Sequence, residues 1–299
     1  VVLEDVLPRQ LKHPDIALVL DGAPVPKAAW PQSPRNPFPP PLRETMPWMY
    51  TPVAMAKANP LHAIEDWIKP ENARLDVSMY EFLKAQGASD AMIDLAYDTN
   101  VSYGTSAHDV SALMMAFVEG FTRAQRNLKP AIYKARGGNQ RIPEGMARRL
   151  KGDVHLRHVV TGIRADDRGV EVRTVDGKRY RASAVICALP FSTLRHVRFD
   201  PLLAGAQQRA VATLPHQMIT QVALRSKRPF WEQDGLPPTM WTDSRIGRVF
   251  AIYGGTTDDE VSSLLVTAYG FKSAWLDQLG QEAAGRYVVA EMERIRPAA

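Results

Sequence analysis

The side chains able to do chemistry in this sequence are scattered rather than grouped. Seven histidines, His13, His62, His108, His155, His158, His196 and His216, show no metal-ligand spacing, and no His-Glu-x-x-His occurs. The single cysteine, Cys187, excludes an internal disulfide and a cysteine-rich zinc site. It sits in the apolar run ASAVICAL and reads as a packed, inert thiol. Asp166-Asp167 and Asp258-Asp259-Glu260 stand where turns and helix starts take acids, not as a paired general acid and base. Ser102 and Ser106 have no nucleophile-elbow context. What remains are glycines, aromatics and polar strand residues, whose chemistry depends on what they are folded around.

Charge narrows the field further. The net charge is +5, and the densest basic cluster is Arg141, Arg148, Arg149, Lys151 and Arg157. That spacing reads as a solvated helix face. No zinc finger, basic zipper or aromatic-basic RNA signature accompanies it, so nucleic acid is not expected as a partner. No stretch reaches the roughly 18 uninterrupted apolar residues of a membrane span.

The elements that must position any site follow from periodicity and punctuation. A length of 299 residues is a prior for about two domains. The chain opens VVLEDVLPRQ, with no initiator Met, basic n-region or apolar h-region, and stops at ERIRPAA after a helical pattern. The expectation is the middle of something longer, with the compartment, cytoplasmic or periplasmic, left open. Residues 23–52 hold ten prolines among Trp30, Phe38, Trp48 and Tyr50. Such a tract forbids sustained helix and reads as an extended arm packed on the surface by its aromatics; a polyproline docking ligand is the other reading.

From 53 to 130 the pattern is helical. Ser78 with Glu81 has capping-box spacing, Gly87 ends that helix, and Ser89 starts the next. Val110, Leu113, Met114, Phe117, Val118 and Phe121 recur at three and four, a core-facing stripe, with Met114 and Met115 as core filler. From 131 a short strand, a Gly-Gly turn and a helix near Pro143 precede four strands, with hairpin turns at Asp167-Arg168-Gly169 and Asp176-Gly177. The fourth, ASAVICAL, is apolar on both faces and reads as a buried strand ended by Pro190. A helix and strand follow over 201–226, then three short strands from 239 and a closing helix or helix pair.

In this order and spacing, GGNQRIPEGMARRL, HVVTGIRADDRGVEV, DGKRYRASAVICALP, FDPLLAGAQQRAVATL, RPFWEQDG and YGTSAHDVSAL resemble the flavin-dependent amine oxidase family. Its members include monoamine, L-amino-acid, polyamine and nicotine-type oxidases. The resemblance covers nearly the whole chain and implies a mixed α/β (α+β) fold. It has a substrate domain of helices on a mixed sheet, over 1–132 and 201–299, and a partial FAD-binding domain with a small β-meander over 133–200. The G-x-G-x-x-G fingerprint, its following acid and the family's C-terminal Gly-Glu segment are not in the sequence.

The resemblance also implies site residues. The cofactor is FAD, contacted by the main chain of Val160, by Ala188 and Pro190 after the next strand, and by the Gly137-Gly138 turn, where glycine lets backbone approach closely. Asn139 and Arg141 would face the flavin ring and substrate. Members commonly carry a Lys before Phe-Trp that holds a water near the flavin; counting back from Trp231, that slot is Gln221, with Thr220 beside it. Glutamine can hold a water but brings no charge, which makes a dehydrogenase-like acceptor preference conceivable. The implied reaction is oxidation of a small-molecule amine to an imine. A free alkylamine is protonated below about pH 10.4, so burial among aromatics, for which Tyr103, Phe117, Trp241 and Tyr253 are the candidates, must favour the neutral form. No arginine in the sequence stands out as a carboxylate anchor, so an amino acid is no better supported than a simple or cyclic amine. A homodimer is open. The alternatives are a desaturase or protoporphyrinogen-type oxidase on the same scaffold, and a non-catalytic interaction module working through the proline-rich arm.

Overall fold

A computed structural model of the chain describes residues 1–10, 14–126, 128–254 and 260–299. His13 and the Asp258-Asp259 pair lie outside the described residues. In chain order the first elements are β1 (Leu3–Asp5), α1 (Leu7–Gln10), β2 (Ala17–Leu20), β3 (Ala23–Val25), α2 (Pro47–Ala58), α3 (Met79–Ala85), α4 (Asp90–Ala96) and α5 (Ala112–Gln125). The middle of the chain forms β4 (Tyr133–Ala135), α6 (Arg141–Ala147), β5 (Val160–Asp166), β6 (Gly169–Thr174), β7 (Arg179–Ala182), α7 (Phe191–Leu194), β8 (Arg198–Asp200) and α8 (Gly205–Thr213). Then come β9 (Ile219–Leu224), α9 (Phe230–Asp234), β10 (Met240–Thr242), β11 (Arg248–Tyr253), β12 (Val261–Tyr269), α10 (Gly270–Gln278) and α11 (Gln281–Ile295). The architecture is mixed α/β, in two compact units: a smaller one of Val1–Leu3 with Ala135–His216, and a larger one of Glu4–Lys134 with Gln217–Ala299.

The larger unit is built on a six-stranded sheet of order β3-β2-β10-β11-β12-β9. β2 and β10 are parallel and the other neighbours antiparallel. Alternation along the strands sends side chains to two cores. Val19, Met240, Val249, Leu264 and Val266 pack with Leu276, Val288 and Met292 of α10 and α11. Leu18, Leu20 and Trp241, on the other face, pack with the helices of residues 46–116.

Local chemistry sets those helices. Ser78 Oγ accepts from Glu81 N at 3.1 Å and Glu81 Oε2 accepts from Ser78 N at 3.0 Å, the reciprocal capping box read from the sequence. Gly87 takes a φ of +85° just past the end of α3, and Ser89 accepts from Met92 N at 3.3 Å to start α4. Two expectations change. The proline tract is neither an arm nor free of helix: Trp30, Phe38 and Tyr50 are core residues, and α2 begins with Pro47 and runs through Pro52. Pro47 costs nothing at the first helical position, where its missing N–H would have no partner. Trp30 meets Phe38 edge-on at 6.1 Å and Phe38 stacks on Tyr50 at 5.0 Å, pairs worth about 0.5–1.5 kcal/mol each beyond burial. Burial of these rings removes the surface that a docking arm would need.

The second change concerns α5. Its buried stripe is Ala112, Ala116 and Gly120, whereas Met114 and Phe121 are exposed. Small residues at four-residue spacing let the helix approach its neighbours closely, and the larger side chains flank that line of contact.

In the smaller unit a four-stranded sheet of order β7-β6-β5-β8 carries the meander, with β5 and β8 parallel. Ile163, Leu194, Val197 and Val211 form its core. Gly169 has a φ of +131°, and a Cβ there would lie 2.5 Å from Ala182 O, so the β5–β6 turn requires glycine. The expected fourth strand is absent. Residues 183–190 form no strand and are exposed, Ile186 at 94%, and Cys187 is exposed rather than packed. An apolar run becomes a strand only where a neighbour completes its ladder, and among the described residues none does. The Phe-Trp segment opens α9, with five residues between it and the end of β9.

Candidate functional site

The larger unit encloses a cavity of about 440 Å³, within the range of small-molecule sites. The sheet forms one wall. Register pairs Leu18 with Trp241, Trp241 with Arg248, Arg248 with Thr267, and Thr267 with Gln221. These five residues make one row across five strands, all on the face opposite α10 and α11. Trp241, Arg248 and Phe250 supply the sheet wall of the cavity. Trp48, Thr51 and Met55 of α2, Asn100 and Tyr103 beyond α4, and Met115 and Glu119 of α5 close it.

The walls are mainly apolar, and the polar atoms among them are conspicuous because several have no partner. Asn100 is 4% exposed and neither its Oδ1 nor its Nδ2 is hydrogen-bonded. Trp241 Nε1, Thr51 Oγ1 and Arg248 Nε are likewise buried without a partner. Buried polar atoms left unpaired cost about 1–3 kcal/mol each, so their concentration beside the cavity singles out this region of the fold. Arg248 donates from NH2 to the Asn100 carbonyl at 3.2 Å, and its guanidinium sits 5.7 Å from the centre of the Tyr269 ring. Burial pulls its pKa below the ordinary arginine value, and the nearby Tyr269 opposes that shift. Tyr97 donates to Tyr103 O at 2.6 Å, and burial pushes its phenol well up. The acid in the cavity is already used: Glu119, its side chain 9% exposed, accepts from Asn59 Nδ2 at 2.6 Å and Arg123 NH1 at 2.9 Å.

Of the expected cavity aromatics, Tyr103 and Trp241 line it. Phe117 does not; it turns away and meets Trp67 at 5.7 Å and Phe121 at 6.4 Å, because residues 115, 118, 119 and 122 are the ones on the cavity side of α5. Tyr253, beyond a register shift at Ile252/Tyr253, also lies off the cavity. Gln221 and Thr220 cannot act side by side, since consecutive strand residues face opposite ways. Gln221 continues the Trp241–Arg248–Thr267 row, its Nε2 3.4 Å from Thr267 Oγ1. The Thr220 hydroxyl is bound to α10, 2.6 Å from Asp277 Oδ1 and 2.8 Å from Ser273 Oγ.

The smaller unit holds the other expected residues. Gly137 and Gly138 have φ of +82° and +99°, and a Cβ on Gly138 would meet nothing within 4 Å, so the backbone at this turn is open to close approach. Asn139 Oδ1 accepts from Ala135 N at 3.0 Å and shapes the turn; Arg141 starts α6 with its side chain against Gly137. β8 pairs only with Gly162–Arg164 of β5, which leaves that edge uncovered at Val160. Ala188 lies in the exposed stretch and Pro190 precedes α7. An open strand edge and a glycine turn leave main chain accessible to a ligand. His155 and His158 come together with Tyr180, at 5.2 and 5.8 Å from its ring, but no metal-holding cluster exists among the described residues.

Sequence reasoning did not find Asn100, Thr51 or Arg248. The only local signal was an arginine opening the apolar strand RVFAIY.

Comparison with known proteins adds a family. The family profile described as flavin containing amine oxidoreductase matches residues 21–299. The flavin-dependent L-tryptophan oxidase of Lentzea aerocolonigenes is 31% identical over 110 residues, 36% of this chain and 23% of that protein. An L-glutamate oxidase precursor of Streptomyces viridosporus is 27% identical over 223 residues, 63% of this chain and 32% of that protein. The L-amino acid dehydrogenase of a Synechocystis species is 29% identical over 117 residues, 39% of this chain and 25% of that protein. The chain thus spans a third or less of these relatives. Among solved structures, the cyclohexylamine oxidase of Brevibacterium oxydans superposes with a TM-score of 0.65 at 19% identity, over 95% of this chain and 63% of that one. A putrescine oxidase with putrescine bound gives 0.60 at 23%, over 82% and 56%. These two likenesses establish the fold. Among the described residues no helix is long and apolar enough to cross a membrane.

Proposed function

Because the chain belongs to the flavin-containing amine oxidoreductase family, we propose that the whole protein is an FAD-dependent enzyme that oxidises the carbon–nitrogen bond of a small-molecule amine bound in the cavity of the larger unit. The observation that carries this is the cavity itself: apolar walls around the unpaired polar atoms of Asn100, Thr51, Trp241 and Arg248. When bound, FAD supplies the two-electron acceptor; the α-carbon gives up a hydride equivalent, the nitrogen a proton, and water hydrolyses the imine to a carbonyl compound and ammonia or an amine.

This chain's residues prepare the substrate. Trp48, Trp241 and Tyr103 withdraw the amine from water, which disfavours its charged form and leaves the nitrogen lone pair available. Asn100 Oδ1 and Thr51 Oγ1 are free acceptors for its N–H groups. The Gly137-Gly138 turn, the open edge at Val160, and Ala188 with Pro190 would hold FAD, with Asn139 and Arg141 facing its flavin ring. Gln221, rather than Thr220, would hold a water. Its lack of charge supports an acceptor other than oxygen, while the similar proteins include both oxidases and a dehydrogenase.

The experiment is anaerobic mixing of the full-length, FAD-loaded protein with a panel of amines and amino acids, following the flavin's visible band. Bleaching by one class of amine is expected. No bleaching by any member would overturn the reading. Fast reoxidation of the reduced protein by air would overturn the inference about the acceptor.

A further inference from the structure

We propose that the outer face of the four-stranded sheet β7-β6-β5-β8 is a docking surface for an acidic protein. The face lies wholly in the smaller unit and shares no residue with the cavity or with the expected FAD contacts.

Register lays the face out in two rows across the four strands. Ile163, Val170, Val172 and Phe199 turn inward to the core, so the residues between them point the other way. One row is Arg181, Glu171, Arg164 and Asp200; the next is Arg179, Arg173, Gly162 and Arg198. Five of these eight residues are arginines, all exposed, and none of the eight has an apolar or aromatic side chain. In the first row the charges pair. Glu171 accepts from Arg173 Nε at 2.8 Å and from Arg181 NH2 at 3.2 Å, and Arg164 Nε lies 3.5 Å from Asp200 Oδ2. The second row holds no acid, and Arg179 and Arg198 form no ion pair among the described residues.

That second row runs against what a merely solvated sheet needs. Arg179 and Arg173 are direct cross-strand partners, and like charges set directly opposite each other destabilise a sheet. Beyond them β5 places Gly162 between Arg173 and Arg198, which stand about 10 Å apart at two strand spacings. The Gly162 backbone is outside the left-handed region, and a Cβ there would meet only Arg198 O, at 3.5 Å, an ordinary contact, so the fold does not demand glycine. The missing side chain leaves a notch between two guanidiniums. The same bias runs through the unit: residues 135–216 hold 15 Arg and Lys against seven Asp and Glu, a net +8, while the whole chain is +5 and the larger unit therefore −3. Charge concentrated on one unit, and displayed on a face free of apolar groups, steers an oppositely charged partner.

The make-up of the face selects a protein among anions. A protein lying on a membrane surface needs apolar or aromatic side chains to enter it, and this face has none. Single-stranded nucleic acid needs stacking rings, and the phosphates of any nucleic acid would meet Glu171 and Asp200 in the adjoining row. An acidic protein presents separate carboxylates, each of which a guanidinium binds in a planar fork, and it can set neutral or basic groups of its own against the two acids. Two carboxylates about 10 Å apart fit Arg173 and Arg198 on either side of the notch. Such a contact is polar, salt-sensitive and transient.

The test is fluorescence anisotropy with the full-length, FAD-loaded protein and labelled poly-L-glutamate, with an oligothymidylate and vesicles of anionic phospholipid as the competing anions. Poly-L-glutamate is expected to bind most tightly of the three at about 25 mM salt, and about tenfold more weakly at about 150 mM. Arg173→Gln/Arg198→Gln is expected to weaken it about tenfold, and Arg179→Gln about threefold with Tm unchanged or raised, since a like-charge pair is removed. Arg173→Lys/Arg198→Lys keeps the charge, loses the fork, and is expected to fall between wild type and the double Gln variant. Arg225→Gln/Lys227→Gln removes the same charge from exposed positions of the larger unit and is expected to change binding less than about twofold. No binding of poly-L-glutamate, an equal loss in Arg225→Gln/Lys227→Gln, or tighter binding of the oligonucleotide or the vesicles through the same arginines would overturn the proposal.

Discussion

Asn100 offers a test in which stability and ligand binding should move in opposite directions. Its side chain is 4% exposed, lines the cavity, and leaves both amide atoms without a partner. Replacement by leucine keeps roughly the volume and removes the unpaired atoms. The backbone carbonyl that accepts from Arg248 remains. An unmade buried hydrogen bond costs about 1–3 kcal/mol, and that cost is recovered in the ligand-free protein. At about 2.1 cal/mol/K of unfolding entropy per residue, 299 residues give about 0.6 kcal/mol per degree. Asn100→Leu should therefore raise Tm by about 2–5 °C in calorimetry without ligand, and weaken binding of an amine that the full-length protein oxidises about tenfold. Such a trade is expected where a site holds groups poised for a ligand rather than for the fold. A fall in Tm with binding unchanged would show that the amide is satisfied in the free protein, and the reasoning about the cavity would fail with it.

Three further outcomes follow from particular contacts. Arg296→Met should lower the unfolding free energy at neutral pH by about 1–3 kcal/mol, because it leaves the half-buried Asp234 without its guanidinium partner. Burial pushes the Asp234 carboxyl up, but the Arg296 hydrogen bonds outweigh it and hold the group below its usual value. The wild-type pair therefore stabilises above about pH 4 and is lost as pH falls through the folded value; urea midpoints against pH should show that acid loss in wild type and not in the variant. Lys272, with Nζ 2.8 Å from the Ser244 carbonyl, is lowered by burial to about 8. Between about pH 8 and 10.4 the unfolded chain holds a proton that the folded one lacks, so stability should climb with pH there, and Lys272→Met should abolish the climb; a flat wild-type profile would count against the burial of this ammonium. Gly247 has a φ of +70° and a Cβ there would lie 2.6 Å from Thr267 O, so Gly247→Ala should cost about 1–3 kcal/mol by thermal melting.

Much of the fold was legible because it is written in short-range chemistry. The Ser78–Glu81 capping box spans three residues, the meander turns at Gly169 and Gly177 need only their own backbone angles, and the helix of 141–147 follows its Gly-Gly turn directly. The same is true of the family, whose motifs are local strings in a fixed order. The readings that failed depended on a neighbour far along the chain. ASAVICAL has the composition of a buried strand, but a strand exists only beside another strand. The stripe of α5 was right at Val110 and Leu113, which join the core, but close helix packing put Ala112, Ala116 and Gly120 at the contact and left Met114 and Phe121 exposed.

The candidate site divides along the same line. From the sequence alone came the aromatic character of the cavity, with Tyr103 and Trp241 both present, and the glycine turn at 137–138. Only the tertiary structure set Gln221 apart from Thr220, since that depends on which face of the sheet each occupies. Only the structure brought Arg248 to Asn100, 148 positions away in sequence, inside a wall contributed by three helical segments and the sheet. A residue's type and spacing determine what it can bond to nearby; whether a buried donor has been left without a partner is decided by everything the fold places around it.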